Sequence, residues 1–437
     1  MSKQGGVPLN PRSLARGGMR RILMLSWGYP PLLDSGPGRH VYALATALVA
    51  AGHEVTVVTR HTEGTPREEY ADGVHIVRAP HDAPEHADLV GWITAFNHSL
   101  TRSALRAART GGYDVVHAHD WLVAHAAMTL REHLDVPLVA TLHSTESGRY
   151  EGQLPEEYHH TIDDIERWLA TEADRIIACS DSMRREVTSL FDVPAAKVDV
   201  IRDGVDMLRW YARPREIATA RRDHAGTGPL ITFAGRLVAE KGAQDLLAAL
   251  PGLTREFPGL RLVIAGDGPL RPELESLAGP EVTFTGQLDG HDLAGLMGAS
   301  DCHVIPSTYE PSGMMALKAA AAGAPVAVAT TGGLAEVIEN GATGVTFTPS
   351  DPQSLAAAVS SVLADRDYAR ALSRSARRRV REDFAWTTAA AKTLAVYASA
   401  ARTAEHIARE AEQALADGSL TGSRLTVIPG DDLSLSA

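Results

Sequence analysis

The sequence predicts two doubly wound α/β domains that face each other across a cleft. The chain has 437 residues, which is enough for two or three domains. Short apolar runs alternate with helical patterns, and the runs lack the polar–apolar alternation of half-exposed strands. Continuous apolar runs are typical of parallel strands that helices cover on both faces. This organisation occurs twice along the chain, so we expect two domains of similar architecture.

The first domain is predicted over residues 19–207. Helical patterns, such as 41–51 and 101–110, lie between its strands. A basic, polar stretch follows and has the composition of a linker between domains. We expect strands at residues 21–26, 54–59, 115–119, 138–142, 175–178 and 198–201.

The second domain is predicted over residues 225–385. From residue 351 to residue 409 nearly every position fits a helix. Residues 418–437 are rich in Gly, Ser and Asp, and we expect this tail to be disordered. We expect strands in this domain at residues 230–234, 261–265, 282–285, 302–305, 325–329 and 344–347.

Composition excludes several classes of protein. The net charge of −12 argues against a nucleic-acid partner, because such partners require a basic face. The apolar run 22–25 is too short for a membrane span or a signal-peptide core. Cys179 and Cys302 lie at apparent ends of buried strands, and we expect two unpaired thiols. These features favour a cytoplasmic protein, either a monomer or a homodimer.

Candidate ligand-binding residues in the first domain follow its predicted strands, where open α/β sheets bind ligands. The loop that contains Gly36 and Gly38 follows Tyr29-Pro30-Pro31 and opens a helix. Its glycines allow close approach of an anion or a sugar, although a tight turn alone requires glycine too.

Two further strands of this domain end in polar residues. His117-Ala-His119-Asp120 ends one strand and His143 follows the next. This pattern is compatible with a metal site or a plain polar loop, but no fourth metal ligand is evident. We favour Asp120 as a ligand for sugar hydroxyls. The polar segment from Glu146 to Gly152 could contact an acceptor.

In the second domain, charged residues and glycines follow strands in a pattern that suits a sugar phosphate. Arg236 and Lys241 lie between Gly235 and Gly242 and could clamp a diphosphate, although a solvated charged turn is the alternative. Gly266 lies in a turn that could line a nucleotide pocket.

Further along this domain, Glu310 precedes a helix, and Gly332-Gly333 opens the next helix. A carboxylate can accept hydrogen bonds from sugar hydroxyls, and bare N–H groups at a helix N-terminus attract phosphate.

Together these motifs resemble those of family 4 glycosyltransferases, over about residues 19–397. The resemblance is strongest to glycogen-synthase-like members, through Tyr29-Pro30-Pro31, the Gly-rich loop, residues 117–122, 143–152 and 235–242. It implies the GT-B fold, in which the second domain holds the donor and the first holds the acceptor. It also implies that a C-terminal helix within 386–412 crosses back to the first domain.

The resemblance further implies a retaining transfer from a nucleotide-activated sugar, with no cofactor and no metal. The catalytic residues would be His143, Asp120, Arg236, Lys241 and Glu310. Donor-binding residues would be Gly36, Gly38, Gly235, Gly266, Gly313, Met314, Lys318, Gly332 and Gly333. Acceptor-binding residues would be Tyr29, Arg39, Glu146 and Arg149.

Five positions of the expected cleft depart from the family pattern. Lys318 replaces a carboxylate that the resemblance assigns to the nucleotide ribose, and Lys cannot accept hydrogen bonds from ribose hydroxyls. Gly28 replaces Glu, Ser35 replaces Gly, Asp203 replaces Asn, and Ser312 replaces a bulky residue. The resemblance therefore points to transfer chemistry with an altered donor site.

Three functions are compatible with this pattern. The first is a retaining glycosyltransferase that moves a glucosyl-like unit to a glucan or a small glycoside. The second is a pseudo-glycosyltransferase of aminocyclitol (acarbose-like) natural-product biosynthesis, which couples a nucleotide-activated cyclitol to an amino sugar through a C–N bond. The third, which ranks last, is a binding protein that keeps the fold without the activity.

Overall fold

The protein folds into two Rossmann-like α/β domains, as the sequence predicted. The computed structural model describes residues 18–32, 36–80, 88–109, 111–226 and 228–416. Ser35 and the predicted tail 418–437 lie outside the described residues. Each domain is built on one sheet with helices on both faces.

The first domain contains an eight-stranded sheet. Its strands are β1 Arg21–Leu25, β2 Glu54–Arg60, β3 Glu68–Ala71, β4 Val74–Ala79, β5 Val115–His119, β6 Leu138–Leu142, β7 Arg175–Ala178 and β8 Val198–Val200. Their order is β3-β4-β2-β1-β5-β6-β7-β8, and only the pair β3–β4 is antiparallel. The direction of strand addition reverses between β1 and β5. In doubly wound folds ligands bind at this point.

The hairpin of β3 and β4 is absent from the sequence prediction. Its turn is formed by Asp72 and Gly73, whose φ angles of 51° and 77° are both left-handed. An Asp-Gly pair is a strong hairpin signal, because type I′ turns require positive φ at both central residues. The signal was therefore present, but β3 is polar and partly exposed and did not resemble a buried strand.

The helices of the first domain start close to strand ends. They are α1 Gly36–Ala50, α2 Leu89–Ala108, α3 Ala124–Leu134, α4 Glu146–Arg149, α5 Glu157–Glu172 and α6 Asp181–Phe191. The helix predicted at 41–51 begins at Gly36, so the Gly-rich motif forms the first turn of α1 and not a loop before it.

The second domain contains a six-stranded parallel sheet. Its strands are β9 Leu230–Ala234, β10 Arg261–Ala265, β11 Val282–Gly286, β12 Cys302–Ile305, β13 Val326–Ala329 and β14 Val345–Phe347. The order β11-β10-β9-β12-β13-β14 is that of a Rossmann fold, with its switch point between β9 and β12.

The helices of this half surround the second sheet, and the last one leaves it. They are α7 Pro214–Ala220, α8 Ala243–Glu256, α9 Arg271–Leu277, α10 Gly290–Ala299, α11 Met314–Ala322, α12 Leu334–Val337, α13 Pro352–Ala364, α14 Arg366–Asp383 and α15 Trp386–Ala416. No helix in the described part of the chain is long and apolar enough to cross a membrane.

Helix α15 returns to the first domain and packs against α1 and the first sheet. Its fully buried Tyr397 shares a core cluster with Ile22 and Met24 of β1. The Tyr397 hydroxyl lies 2.7 Å from Nδ1 of His117. The C-terminal helix is therefore built into the support of the first-domain site.

Direct hydrogen bonds join the two domains beside the cleft. The Tyr309 hydroxyl accepts from the backbone N–H of Thr145 at 3.0 Å and donates to Glu186 at 2.8 Å. The Glu336 carboxylate accepts from the backbone N–H groups of Asp181 and Ser182, at 3.0 and 2.8 Å. These contacts set the separation of the two strand-end surfaces.

Candidate active site

Three histidines converge at the strand ends of the first domain. His40 lies in the first turns of α1, His119 ends β5, and His143 follows β6. The ring centroids of His40 and His143 are 4.6 Å apart, and His119 Nδ1 lies 3.3 Å from His143 Nε2. Burial lowers the pKa of His143 to about 3, so its imidazole is neutral near pH 7.

Asp120 is held in an unusual backbone conformation beside these rings. Its φ of 64° is left-handed, which costs free energy for a residue other than glycine. The carboxylate accepts the backbone N–H of His143 at 2.8 Å, and burial raises the pKa of Asp120 to about 6. Asp120 therefore fixes the backbone that presents His143.

Lys241 and Glu310 form an ion pair on the opposite side of the cleft. The Lys241 ammonium lies 2.7 Å from the Glu310 carboxylate, and both side chains are partly exposed. The sequence predicted that both residues contact the donor, and the structure places them directly against each other. A phosphate that attracts Lys241 would release Glu310 to accept hydrogen bonds from sugar hydroxyls.

Arg236 lies in the same loop after β9 and reaches into solvent. Its side chain is 66 % exposed and contacts Glu240 at 3.3 Å, four residues along the chain. An exposed pair of this kind contributes little to stability. The guanidinium can therefore exchange Glu240 for a stronger anion at small cost.

Glycines allow the Glu310 loop and the Gly332-Gly333 loop to touch. Gly332 has a φ of 45°, and a Cβ there would lie 2.3 Å from the Glu310 carbonyl oxygen. The Gly333 N–H donates to that same carbonyl at 2.8 Å. In this arrangement the Gly333 N–H is used to position Glu310.

Other predicted donor residues also lie at loop contacts. Gly313 precedes α11 and packs on Gly333, and the Met314 N–H donates to Ser312 Oγ at 3.3 Å. A Cβ on Gly266 would lie 1.8 Å from the carbonyl oxygen of Gly235. These residues shape the strand-end surface of the second domain through their backbones.

The first turn of α1 packs closely against the loop after β1. A Cβ on Gly38 would approach the carbonyl oxygen of Gly28 to 2.9 Å, whereas one on Gly36 would meet no atom within 4 Å. Two of the predicted cleft glycines therefore differ in role. Gly38 permits a backbone contact, and Gly36 leaves open space.

Glu146 is placed differently from the expectation of an acceptor-binding residue. It is buried, and its carboxylate is bonded to His159 Nδ1 at 2.6 Å and to Arg149 at 3.1 Å. Arg149 also donates to Ser144 Oγ at 2.8 Å. The Glu146 carboxylate is therefore occupied by protein partners, and it orients Arg149.

Tyr29 is also buried, at the edge of a cavity of about 400 Å³. Its hydroxyl has no hydrogen-bond partner, and its ring contacts Tyr42 at a centroid distance of 5.9 Å. Arg209 of the interdomain segment lines the same cavity. A polar substrate group that entered the cavity could satisfy the Tyr29 hydroxyl.

Lys318 lies among two cations, Arg39 and Arg209, and two carboxylates. Its ammonium lies 5.1 Å from the ring centroid of Trp210, in cation–π contact. Burial and the nearby charges of Arg39 and Arg209 lower the pKa of Lys318 to about 8, against the opposing influence of two carboxylates. A bound anion would relieve this mutual repulsion.

Asp203 is one of those two carboxylates and lies 2.7 Å from His40 Nδ1. Burial acts to raise the pKa of Asp203, but His40 and, more weakly, Lys318 hold it below the ordinary value. The resemblance predicts that Lys318 and Asp203 are both altered positions, and the structure brings the two residues within electrostatic reach of each other.

His40 is a site residue that the sequence did not single out. It lies in the Gly-rich motif, but its partners Asp203 and His143 are distant along the chain. The sequence did contain a signal for His40, because it is a polar residue directly after Arg39 at the start of a helix. His117, by contrast, belongs to a predicted motif. Both of its ring nitrogens already have hydrogen-bond partners, namely Tyr397 and Thr141.

The two Rossmann-like domains give the chain the fold of GT-B glycosyltransferases. The family model described as "Glycosyltransferase Family 4" matches residues 35–209. The model described as "Glycosyl transferases group 1" matches residues 214–379. The chain belongs to glycosyltransferase family 4.

Two relatives illustrate the range of this family. The chain is 43% identical to a glycogen synthase of Mycobacterium tuberculosis over 401 residues, which cover 87% of this chain and 95% of the relative. It is 32% identical to a D-inositol 3-phosphate glycosyltransferase of Kineococcus radiotolerans, with 87% and 95% covered.

Solved structures share the fold. A sucrose-phosphate synthase of Thermosynechococcus elongatus matches with a TM-score of 0.74 at 25% identity, covering 86% of this chain and 98% of that one. The catalytic domain of starch synthase IV from Arabidopsis thaliana matches with a TM-score of 0.71 at 18% identity, covering 88% and 100%. The second likeness concerns the fold alone.

Proposed function

We propose that the protein is a retaining glycosyltransferase that transfers a glucosyl-like unit from a nucleotide-activated donor to a glucan or a small glycoside. The observation that carries this proposal is the pairing of Lys241 with Glu310 across from the neutral, partly buried His143. The second-domain side supplies positive charge for a diphosphate and a carboxylate for sugar hydroxyls. The first-domain side supplies an uncharged, desolvated surface.

The proposed chemistry follows from these charges. The donor diphosphate draws Lys241 away from Glu310 and recruits the exposed Arg236, so that positive charge meets the departing phosphate. Glu310 then accepts hydrogen bonds from the sugar. Neutral His143 lies against the sugar without repelling the positive charge that develops on the ring.

Retention places the acceptor and the leaving phosphate on the same face of the sugar. The bond from the anomeric carbon to the phosphate oxygen breaks, and a bond to the acceptor oxygen forms. The departing phosphate oxygen takes the acceptor's proton. Arg236 and Lys241 neutralise the phosphate, so no metal or other cofactor is required in this scheme.

The experiment is a donor screen with stereochemical readout. ADP-, UDP-, GDP- and dTDP-glucose are each incubated with glucans and small glycosides, and the product is examined by NMR. We expect at least one donor to yield an α-linked product. A β-linked product would overturn the retaining mechanism, and no transfer from any donor would overturn the activity.

A second candidate function is supported by the altered charges near Lys318. This function is a pseudo-glycosyltransferase that joins a nucleotide-activated cyclitol to an amino sugar through a C–N bond. Lys318, Arg39 and Arg209 bring three cations close to Asp203 and Glu310, at a position where the resemblance predicts a carboxylate. Such an arrangement suits a substrate with an additional phosphate or a different ring.

Mass spectrometry distinguishes the two candidates. A coupled product from a nucleotide-cyclitol and an amino sugar, with no product from nucleotide-glucose, would support the second function. Turnover of nucleotide-glucose alone would reject it. Under either function we infer a cytoplasmic enzyme, because Cys179 and Cys302 are buried and unpaired. We also infer that it acts as a monomer or homodimer.

A further inference from the structure

His40, His119 and His143 come together in a way that the proposed transfer does not explain. Each can offer one ring nitrogen so that the three atoms lie within 4.8 Å of one another. No other group of three His, Cys, Asp or Glu residues meets this criterion in the described ranges. The three histidines come from three separate segments, so the cluster depends on the fold.

The hydrogen bonds of these rings leave nitrogen atoms unused. His40 Nδ1 is bonded to Asp203 at 2.7 Å, and its Nε2 is buried without a partner. His119 also has a buried Nε2 without a partner, but its Nδ1 is the nitrogen that faces His143, so the unused nitrogen of the cluster is His40 Nε2. A buried polar atom without a hydrogen bond is costly, so each such atom requires an explanation.

The contact between His40 and Asp203 is the arrangement that metal-binding histidines commonly show. A carboxylate that holds one ring nitrogen fixes the tautomer and makes the other nitrogen a better metal ligand. The Asp203 carboxylate therefore strengthens His40 as a potential ligand.

The spacing of the ring nitrogens also suits a metal ion. The two nitrogens joined at 3.3 Å are separated by about the distance expected for two ligands of one tetrahedral Zn²⁺.

We propose that His40, His119 and His143 bind a divalent transition-metal ion such as Zn²⁺, with the fourth coordination position open. The ion is not part of the transfer chemistry. It occupies the nitrogen through which His143 would contact the sugar, so it inhibits the enzyme by competing with the donor. The inhibitory part of this proposal rests on the proposed function, and the binding part does not.

The test is calorimetric titration of the chelator-treated full chain with Zn²⁺. We expect one ion per chain for the unmodified protein. His40→Gln removes a ligand and should weaken binding at least about 100-fold, and Asp203→Asn should weaken it about 10-fold to 100-fold. Circular dichroism verifies that both variants are folded.

The matched control is His303→Gln in the second domain. His303 is fully buried, is bonded through Nδ1 to Thr232 at 2.8 Å, and also has an unpartnered Nε2. Like His40, it has one bonded and one unpartnered ring nitrogen, but it belongs to no group of three potential metal ligands among the described residues. Zn²⁺ binding by this variant should equal that of the unmodified chain.

Two results would overturn the metal site. One is the absence of Zn²⁺ binding by the unmodified chain, and the other is equal binding by His40→Gln. An activity assay with increasing Zn²⁺ then separates the two proposals. Binding without any transferase activity would reject the proposed function alone, and activity without binding would reject the metal site alone.

Discussion

The two sides of the cleft are built in opposite ways. On the first-domain side, His119 and Asp120 are buried, His143 is partly buried, and all three are held by contacts within the protein. On the second-domain side, Arg236 and Lys241 remain at least partly exposed and pair with carboxylates of their own domain. One surface is therefore ready before any substrate arrives, and the other has to exchange its partners.

Burial has opposite consequences for acids and bases on the first-domain side. It raises the pKa of Asp120 to about 6 and lowers that of His143 to about 3, because it disfavours the charged form of both. The second-domain side stays hydrated, where ion pairs are weak and exchangeable. We therefore expect the second domain to bind the charged part of the substrate and the first domain to exclude water from it.

Removing the exchangeable cation should have the largest effect. Lys241→Ala should lower kcat about 10²-fold to 10³-fold, which is typical for the loss of one group that stabilises developing charge. Stability should change by about 1 kcal/mol or less, since the Lys241–Glu310 pair is partly exposed. Steady-state kinetics and urea denaturation measure both quantities. Lys392→Ala, at an exposed position of α15, is the control, and unchanged kcat in Lys241→Ala would contradict the assignment.

A pH series tests the buried side. The pKa of Asp120 is raised from 3.8 to about 6, so the protonated form is favoured in the folded state. Its stabilising contribution is present below pH 4 and is lost as the pH rises through 6. Asp120→Asn abolishes this titration, so its free energy of unfolding relative to the unmodified chain should rise by about 3 kcal/mol between pH 4 and pH 7.

Denaturation at both pH values measures this difference. Asp367→Asn, at a 94 % exposed side chain, provides the matched control and should show no such trend. A difference between Asp120→Asn and the unmodified chain that stays constant with pH would show that Asp120 is hydrated in solution.

Changing the charge at position 318 should have a smaller effect, on the affinity for nucleoside diphosphates. Lys318→Glu introduces the carboxylate that the resemblance predicts at this position, and it reverses the charge next to Arg39 and Asp203. We expect affinities for nucleoside diphosphates to change about tenfold, equivalent to about 1.4 kcal/mol, with a different preferred base. Calorimetry with ADP, UDP, GDP and dTDP measures the change. Lys392→Glu controls for net charge, and identical preferences in both variants would remove Lys318 from the donor site.

The weakest expected effect concerns the contact between the two sides. Glu336→Gln keeps the shape of the residue but removes the charge that caps the start of α6 and pairs with Arg202 at 2.9 Å. We expect a loss of about 1 kcal/mol in stability. Thermal denaturation measures this change. An unaltered melting temperature would mean that the domain contact in solution does not use Glu336.

The sequence was sufficient for the architecture, and residues that it selected for a site, such as His143 and Lys241, lie after strands of the two sheets. Buried parallel strands have a local signal, because each needs a continuous apolar run. The pairing of Lys241 with Glu310 has no local signal, since the two residues are 69 positions apart. Contacts between distant segments depend on how the domains pack, so the ion pair was not foreseen.

The same limit applies to the histidine cluster. The sequence patterns indicated His143 as a site residue and included His119 in a motif. They gave no reason to expect that His40 would lie beside them. The link runs through Asp203, 163 positions away, and through the return of α15 to the first domain. Local patterns also cannot show that Glu146 would be buried against His159. That outcome depends on how α4 and α5 pack.

One measurement tests the central claim most directly. The chain is incubated with each nucleotide-activated glucose and an acceptor panel, in parallel with Lys241→Ala, and transfer products are quantified by mass spectrometry. We expect the unmodified chain to form product from at least one donor, and the variant to form at least about 100-fold less of that product. Equal product from both proteins, or no product from any donor, would contradict it.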